Sequence, residues 1–550
     1  MSIMKKIFNK LFIYMIPVLL LSLTGCGDSF LDLRNPNEAT DETYWTKEEN
    51  AYKALGSLYT PLARKMYGYF GAHTGFQLMN TRTDDTFTIP AEEAQIWMIC
   101  NFTNISSNLF VSDVYEPLYA GINRTNKFLA KIGETPMDDD TKQIWIGEAK
   151  FIRAIHYHLI AVNFGYAPLR LIPVSDDENE INKEGATEEQ LWAQVESDLK
   201  DAIASLPVTH SGNESGRATK GAAIAYLGKS YIYQGKYKEA EEQLSIIMKA
   251  PYTYELVDNP DDNFSQYTEF NKESIFEINY DSSFGGTGSW GHEEDSESLG
   301  CVYPNFFGPE GTGGWFKYLP SAALVEAFVA EERPANSDTK FDKRMYTSLY
   351  FKHSDYNDVK EDETWYGGMS FDDIWKGCYE MKIIREDPGY PDVEGKPGRF
   401  LLKKFTNFFL DRADANSMYT TGNGDNNLRI MRFAEVLLLH AEACIKLNKL
   451  DEAAADLHRI RDRAGLARKT WANADELWKE MEHQKFLEMF FEGQRFLDLR
   501  RWYTTDEMKA ILKKNGHRGA DNYQEKYGYY PIPESEIFTN TKLEQNPLWR

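Results

Sequence analysis

Apolar residues between Ala222 and Pro251 recur at helical spacing in two successive runs. Leu227, Gly228 and Tyr231 share one face, and Ala240, Leu244 and Ile247 share another. Gly235 breaks the helix between the runs and Pro251 stops the second, so the stretch predicts two antiparallel helices. The pattern returns 213 residues downstream, which carries Gly228 to Ala441, Gly235 to Asn448, Tyr237 to Leu450, Ala240 to Ala453, Leu244 to Leu457 and Ile247 to Ile460. Small residues where helices cross, large ones around them and a turn former between are spaced as in tetratricopeptide hairpins. One such hairpin cannot bury its own apolar face, so further helices are expected to stack on both copies.

Helical periodicity also predicts a helix starting at Thr46 as N-cap and running to Tyr59, and others over Glu116 to Ile132 and Thr141 to Asn163. Thr187 to Leu206 follows, with Thr187 capping and Gln190 three residues on, then Ser321 to Glu331 and one long helix over Ala474 to Trp502. Arg82 to Asn108 lacks clean periodicity and reads as a loop with short irregular elements. Lys272 to Tyr280 alternates as a short strand, and Ser282 to Gly314 is rich in Gly, Ser and aromatic residues. The expected fold class is mainly α, a tetratricopeptide-type helical hairpin scaffold with a loop-rich insertion carrying a few short strands. The expected organisation is a leader over 1–25, a tether over 26–45, a helical region over 46–250 and a C-terminal region over 251–550. Within the last, the insertion covers about 281–424 and helices resume over about 428–502.

The leader has a basic start at Lys5, Lys6 and Lys10 and an apolar run from Leu11 to Leu23, too short for a comfortable permanent span. Leu23-Thr24-Gly25-Cys26 is a lipobox, which makes Cys26 the expected lipidation site and first mature residue of a bacterial lipoprotein. Removing the leader takes the formal charge from −24 to −27, because it contains three Lys and no acid. Such a surface repels phosphates, so nucleic acid is set aside as a partner. Cys100, Cys301, Cys378 and Cys444 are widely spaced, without a CxxC pair, and read as scattered buried thiols with one disulfide left open.

No enzyme signature is found. There is no HExxH, and His156 and His158 are two apart, on different sides of a helix. Thr287-Gly288-Ser289-Trp290-Gly291 lacks the first Gly and the context of a nucleophile elbow. Asp258 to Asn263 and Asn423 to Asn427 could offer oxygen ligands but miss the EF-hand spacing, so neither a metal nor a cofactor is expected.

Aromatic residues make up 14% of the chain, which points either to a well-filled core or to rings held out as binding platforms. A sugar ring needs a flat exposed ring to stack on and amide, carboxylate or guanidinium groups for its hydroxyls. Arg82, Asp84, Asp85, Trp97 and Asn101 supply that mixture in the early irregular segment. Trp290, Tyr303, Asn305, Phe307, Trp315 and Tyr318 supply it in the Gly-rich middle, and Trp365, Tyr366 and Trp375 are a weaker third group.

Several short motifs then stand in order: Asp28-Ser29-Phe30-Leu31-Asp32; Leu118-Tyr119-Ala120-Gly121-Ile122-Asn123-Arg124; Gly147-Glu148-Ala149-Lys150-Phe151-Ile152-Arg153; and Asn163-Phe164-Gly165-Tyr166-Ala167-Pro168. They continue as Arg432-Phe433-Ala434-Glu435; Ile460-Arg461-Asp462-Arg463-Ala464-Gly465; Phe491-Glu492-Gly493-Gln494-Arg495; and Tyr530-Pro531-Ile532-Pro533. With these the chain resembles the SusD/RagB family of Bacteroidetes surface lipoproteins over nearly its whole mature length. The resemblance implies a lipid anchor in the outer membrane facing the cell exterior, no catalysis, and a SusC-like TonB-dependent transporter as partner, over which the protein acts as a lid. It implies an oligosaccharide ligand, with a peptide or another nutrient as the alternative and a surface glycoside hydrolase as a more remote one. It also places ligand loops where the early irregular segment and the Gly-rich middle lie. Arg432, Glu435, Glu442, Arg495 and Asp498 are expected to tie neighbouring helices by charge-assisted hydrogen bonds.

Overall fold

A ladder of helices, each packed on its predecessor, forms the scaffold in the computed structural model, which describes residues 41–550 except 89–92, 175–176, 211, 284–299, 316–317, 379–391, 394–395 and 423. The N-terminal helix α1 (Glu48–Ser57) and the short α2 (Ala94–Cys100) lean on α3 (Leu109–Lys131). From there α4 (Asp139–Phe164), α5 (Glu188–Ser205), α6 (Lys220–Tyr233) and α7 (Tyr237–Ile247) follow in register. After a long insertion the ladder resumes with α8 (Phe433–Lys446), packed on α7, and continues through α9 (Leu450–Arg463) and α10 (Ala474–Glu488). No described helix is long and apolar enough to cross a membrane.

The two hairpins read from sequence are α6–α7 and α8–α9. Each turns on a residue with left-handed backbone, Gly235 (φ +69°) in the first and Asn448 (φ +58°) in the second, the two residue types that tolerate it best. Gly228 is demanded by close approach, since a Cβ there would lie 2.6 Å from Leu244 Cδ2. Ala240, Leu244, Ala453, Leu457 and Ile460 are all fully buried between the helices. Thr187 and Gln190 form the reciprocal capping box expected at the start of α5.

The insertion leaves and re-enters the ladder through one neck. Strand β1 (Ser274–Ile278), reached from the first hairpin through two short 3-10 turns, pairs antiparallel with β2 (Leu428–Arg432), straight before the second. Arg432 at the end of β2 reaches Glu273 (2.8 Å), Glu488 (2.6 Å) and Glu492 (2.7 Å), and Arg463 also bridges Glu273 and Glu488, so a buried ion cluster holds the strand neck to α10. Glu435 pairs with Lys229 of α6 at 2.8 Å, and Glu442 pairs with Arg501. Asp498 takes Lys485 (2.9 Å) and Arg501 (2.8 Å), so the expected inter-element ties are made.

Several boundaries differ from the sequence reading. The first helix begins at Glu48 and not at Thr46, whose hydroxyl is spent on the Thr43 carbonyl at 2.7 Å. The third helix starts at Leu109, seven residues early, because Asn108 caps it by accepting from the Phe110 N–H. The long helix over Ala474 to Trp502 is two: α10 stops at Glu488 and α11 (Arg495–Trp502) begins after a turn in which Phe491 (φ +60°) and Gly493 (φ +78°) are left-handed. Phe491 is drawn there into a cluster with Phe76, Phe307, Tyr318 and Phe405, and Gly493 lies against Met79. An unforeseen helix, Arg412–Thr421, lies inside the insertion. The four described cysteines are buried and free, none in a disulfide.

Candidate functional site

A three-residue strand, Thr86–Thr88, pairs antiparallel with Tyr318–Pro320, Thr88 opposite Tyr318 and Thr86 opposite Pro320. This contact brings together the two stretches singled out for their aromatic and polar mixture, although more than two hundred residues separate them. Along the first strand Thr86 and Thr88 are buried on one side, and Phe87 on the other lies half-buried opposite Leu319, packed against a second apolar cluster, as alternation requires. On α2, Ile96, Ile99 and Cys100 turn into the core and leave Trp97 half-buried on the outer face.

Trp315 is the most open of the described candidate rings, 42% exposed, and rests edge-on against buried Phe306 with centroids 4.7 Å apart. Behind Phe306 lies His73 (5.5 Å), whose Nε2 is 3.5 Å from a Glu93 carboxylate oxygen at the start of α2. Trp315 and the helix bearing Trp97 are thus connected through Phe306, His73 and Glu93. Arg518 lies between the strand and α2, its guanidinium 4.2 Å from the Phe87 ring centroid and 6.0 Å from that of Trp97. Sequence reasoning missed Arg518 and Phe87, a lone arginine and a lone ring with no motif around them. Asn101 is half-buried at the end of α2; its amide donates to the Trp97 carbonyl at 2.9 Å, and its own carbonyl accepts from Asn522 at 2.9 Å.

The charged candidates of the early segment turn inward, which corrects their reading as ligand groups. Arg82 is 3% exposed and clamped between the faces of Phe496 (3.9 Å) and Tyr530 (4.0 Å). Burial lowers its pKa from the usual guanidinium range. Asp84 is 1% exposed and takes a two-pronged pair from Arg495 (2.7 and 2.9 Å) and a third bond from Asn515 (2.7 Å). Burial opposes ionisation of Asp84, but Arg495 and these hydrogen bonds outweigh it and hold the pKa below normal. Asp85 feels the Arg495 charge only weakly; burial and then the Asp84 charge push it up to about 6, and the Thr83 hydroxyl donates to it.

Tyr303 is likewise a core residue, 3% exposed, its hydroxyl donating to the Phe70 carbonyl and its ring packed on Phe76, Phe307 and Phe405. Asn305, Phe307 and Tyr318 are fully buried, and Trp365, Tyr366 and Trp375 belong to a satellite core with Tyr350 and Phe371. Trp290, the elbow-like Thr287 to Gly291 and the lipobox Cys26 lie outside the described residues. The described His, Cys, Asp and Glu side chains form no group able to hold a metal ion. Cys444, His440 and Asp456 lie together, His440 Nε2 3.6 Å from the sulfur, but the thiol has no exposed surface for a substrate.

A helical-repeat scaffold, an insertion held at its neck and half-buried rings beside a guanidinium fit a binding protein of the helical-repeat class. The chain belongs to the SusD family, a family of non-catalytic binding proteins: residues 272–549 match the SusD family, and residues 29–232 match the family described as starch-binding, associating with the outer membrane. It is 24% identical to SusD-like protein P2 of Formosa agariphila, over 96% of this chain and 97% of that one. It is also 24% identical to the starch-binding protein SusD of Bacteroides thetaiotaomicron, over 86% and 85%. A SusD superfamily protein of Bacteroides vulgatus superposes with a TM-score of 0.75 at 28% identity, over 92% of this chain and all of that one. Surface glycan-binding protein A of Bacteroides thetaiotaomicron, in complex with laminarihexaose, superposes with a TM-score of 0.70 at 20% identity, over 91% and 100%.

Proposed function

We propose that this protein captures a glycan at the cell surface on the face formed by Phe87, Trp97, Trp315 and Arg518, and breaks no bond in it. The observation that carries the reading is Trp315, a tryptophan kept open to solvent by an edge-on contact with buried Phe306. Such a ring offers a flat apolar surface to the C–H face of a sugar. Arg518 beside Phe87, and the Asn101 side chain at the end of α2, would serve the hydroxyls. The laminarihexaose bound by a relative of the same fold supports a glycan as the ligand class. A lipid on Cys26 would hold the protein at the outer membrane, and a SusC-like TonB-dependent transporter would receive the captured chain, with this protein as its lid.

Affinity electrophoresis across a panel of soluble neutral glycans tests the reading. Retardation by at least one glycan is expected, lost on Trp315→Ala. Retardation by none, beside tight peptide binding in titrations, would overturn the sugar assignment. Copurification of a TonB-dependent barrel with the lipidated protein from native membranes tests the partner.

A further inference from the structure

A cavity of about 270 Å³ opens beside α1, lined by Leu55, Tyr59, Leu62, Phe276 and Ile278, with the amides of Asn213 and Asn279 among its lining side chains. A second, more open hollow of about 670 Å³, with Trp145, Ile144 and Thr209 in its wall, meets it at Tyr52 and Arg217, which line both. Neither shares a residue with the Trp97 and Trp315 face. Tyr52 is 45% exposed at the junction, with the Trp145 ring at 5.6 Å and the Arg217 guanidinium at 5.8 Å from its ring centroid.

The wall behind the junction is fixed in place. Arg217 pairs with Glu148, which is fully buried, and with Glu214; the Tyr59 hydroxyl donates to Glu148 at 2.8 Å and accepts from the Ala218 N–H at 3.0 Å. Two carboxylates cancel the Arg217 charge, and Glu48 and Glu49 line the outer hollow, so an anionic ligand is disfavoured. Gly56 also lines the inner cavity. It sits within α1, where glycine is a poor helix former. Its backbone is not left-handed, and a Cβ there would meet nothing within 4 Å. Neither conformation nor close packing asks for glycine at this position; what it leaves is open space in the cavity wall.

We infer that the joined cavities at Tyr52 are a second ligand site, which takes the end of a neutral glycan chain: one ring in the inner apolar cavity, the next across Tyr52 toward Trp145. Amphipathic rings match an apolar wall with amides and a charge-cancelled guanidinium at the junction. The inference rests on the glycan reading above.

Isothermal titration of the full mature chain with laminarihexaose, and with any other glycan of the panel that retards it, tests both readings separately. Two sites per chain are expected in the wild type. Gly56→Leu fills the cavity without removing a contact and should abolish one site with the melting temperature unchanged or raised. Tyr52→Ala should weaken the same site tenfold or more. Trp315→Ala should remove the other site and leave this one. A single wild-type site, lost on Trp315→Ala and indifferent to Gly56→Leu and Tyr52→Ala, overturns the second site and spares the function. Binding of no glycan overturns both.

Discussion

Tyr303 and Trp315 stand twelve residues apart in one aromatic-rich stretch and meet opposite fates. Tyr303 is 3% exposed, its hydroxyl bonded to a backbone carbonyl and its ring among other rings; Trp315 is 42% exposed. The difference separates two regions of the molecule, a neck and core that fix the insertion to the ladder and an outer face that the insertion carries. Groups in the first region are paired or packed; in the second Phe87 and Trp97 are half-buried and Trp315 is exposed. Damage to the first region should therefore cost folding, and damage to the second should cost only binding.

The largest effect is expected at the neck. Arg432→Ala removes the cation that Glu273, Glu488 and Glu492 share and leaves them only Arg463, Arg344 and Lys404, which should destabilise by about 3–5 kcal/mol in chemical denaturation. A loss below 1 kcal/mol would mean that the neck does not hold the insertion.

Next is the first hairpin. Gly228→Ala puts a methyl against Leu244 and should cost about 1–3 kcal/mol, whereas Ala441→Gly in the downstream copy should cost about 1 kcal/mol, because a Cβ is already accommodated there. Equal costs at the two positions would remove the distinction between the copies.

A pH dependence should follow from the joint between the hairpins. His440 bonds Asp456 (2.5 Å) on its own hairpin and Ser245 (3.1 Å) on the other, with Glu241 (3.8 Å) and Cys444 also facing it. Burial works against its charge, yet the Asp456 hydrogen bond leads the partners that raise it to about 10. The folded state then holds the proton more tightly than the unfolded chain. This contribution is complete below about pH 6.5 and lost as the pH rises toward 10. Denaturation midpoints from pH 6 to 10 should fall over that window, and the His440-dependent part of the fall should vanish in His440→Gln. A slope that the variant leaves unchanged would refute it.

The smallest effect on folding is expected at the outer face. Trp315→Ala should change stability by no more than about 0.5 kcal/mol while lowering glycan affinity at least tenfold. A large stability loss would move Trp315 to the core side of the comparison.

Much of the ladder was readable because helix pairs depend on local spacing: Gly235 and Asn448 turn, Gly228 admits Leu244, and Thr187 caps with Gln190. The break at Phe491 was not readable, because a local pattern that favours one helix is overridden by rings from Phe76, Phe307 and Phe405. The candidate face was half readable. Trp97 and Trp315 were chosen by type and by their irregular surroundings. Asp84 was chosen on the same grounds, but it finds its cation in Arg495, 411 residues away.

By itself the sequence determined most helices of the ladder, that two hairpins repeat, and which residue types an aromatic binding face could draw on, since each follows from chemistry within a few residues. Only the tertiary structure decided which rings and charges face out. That choice turned on the pairing of Thr86–Thr88 with Tyr318–Pro320 and on ion partners hundreds of residues distant. Burial is a property of what packs against a side chain, and no local pattern records it.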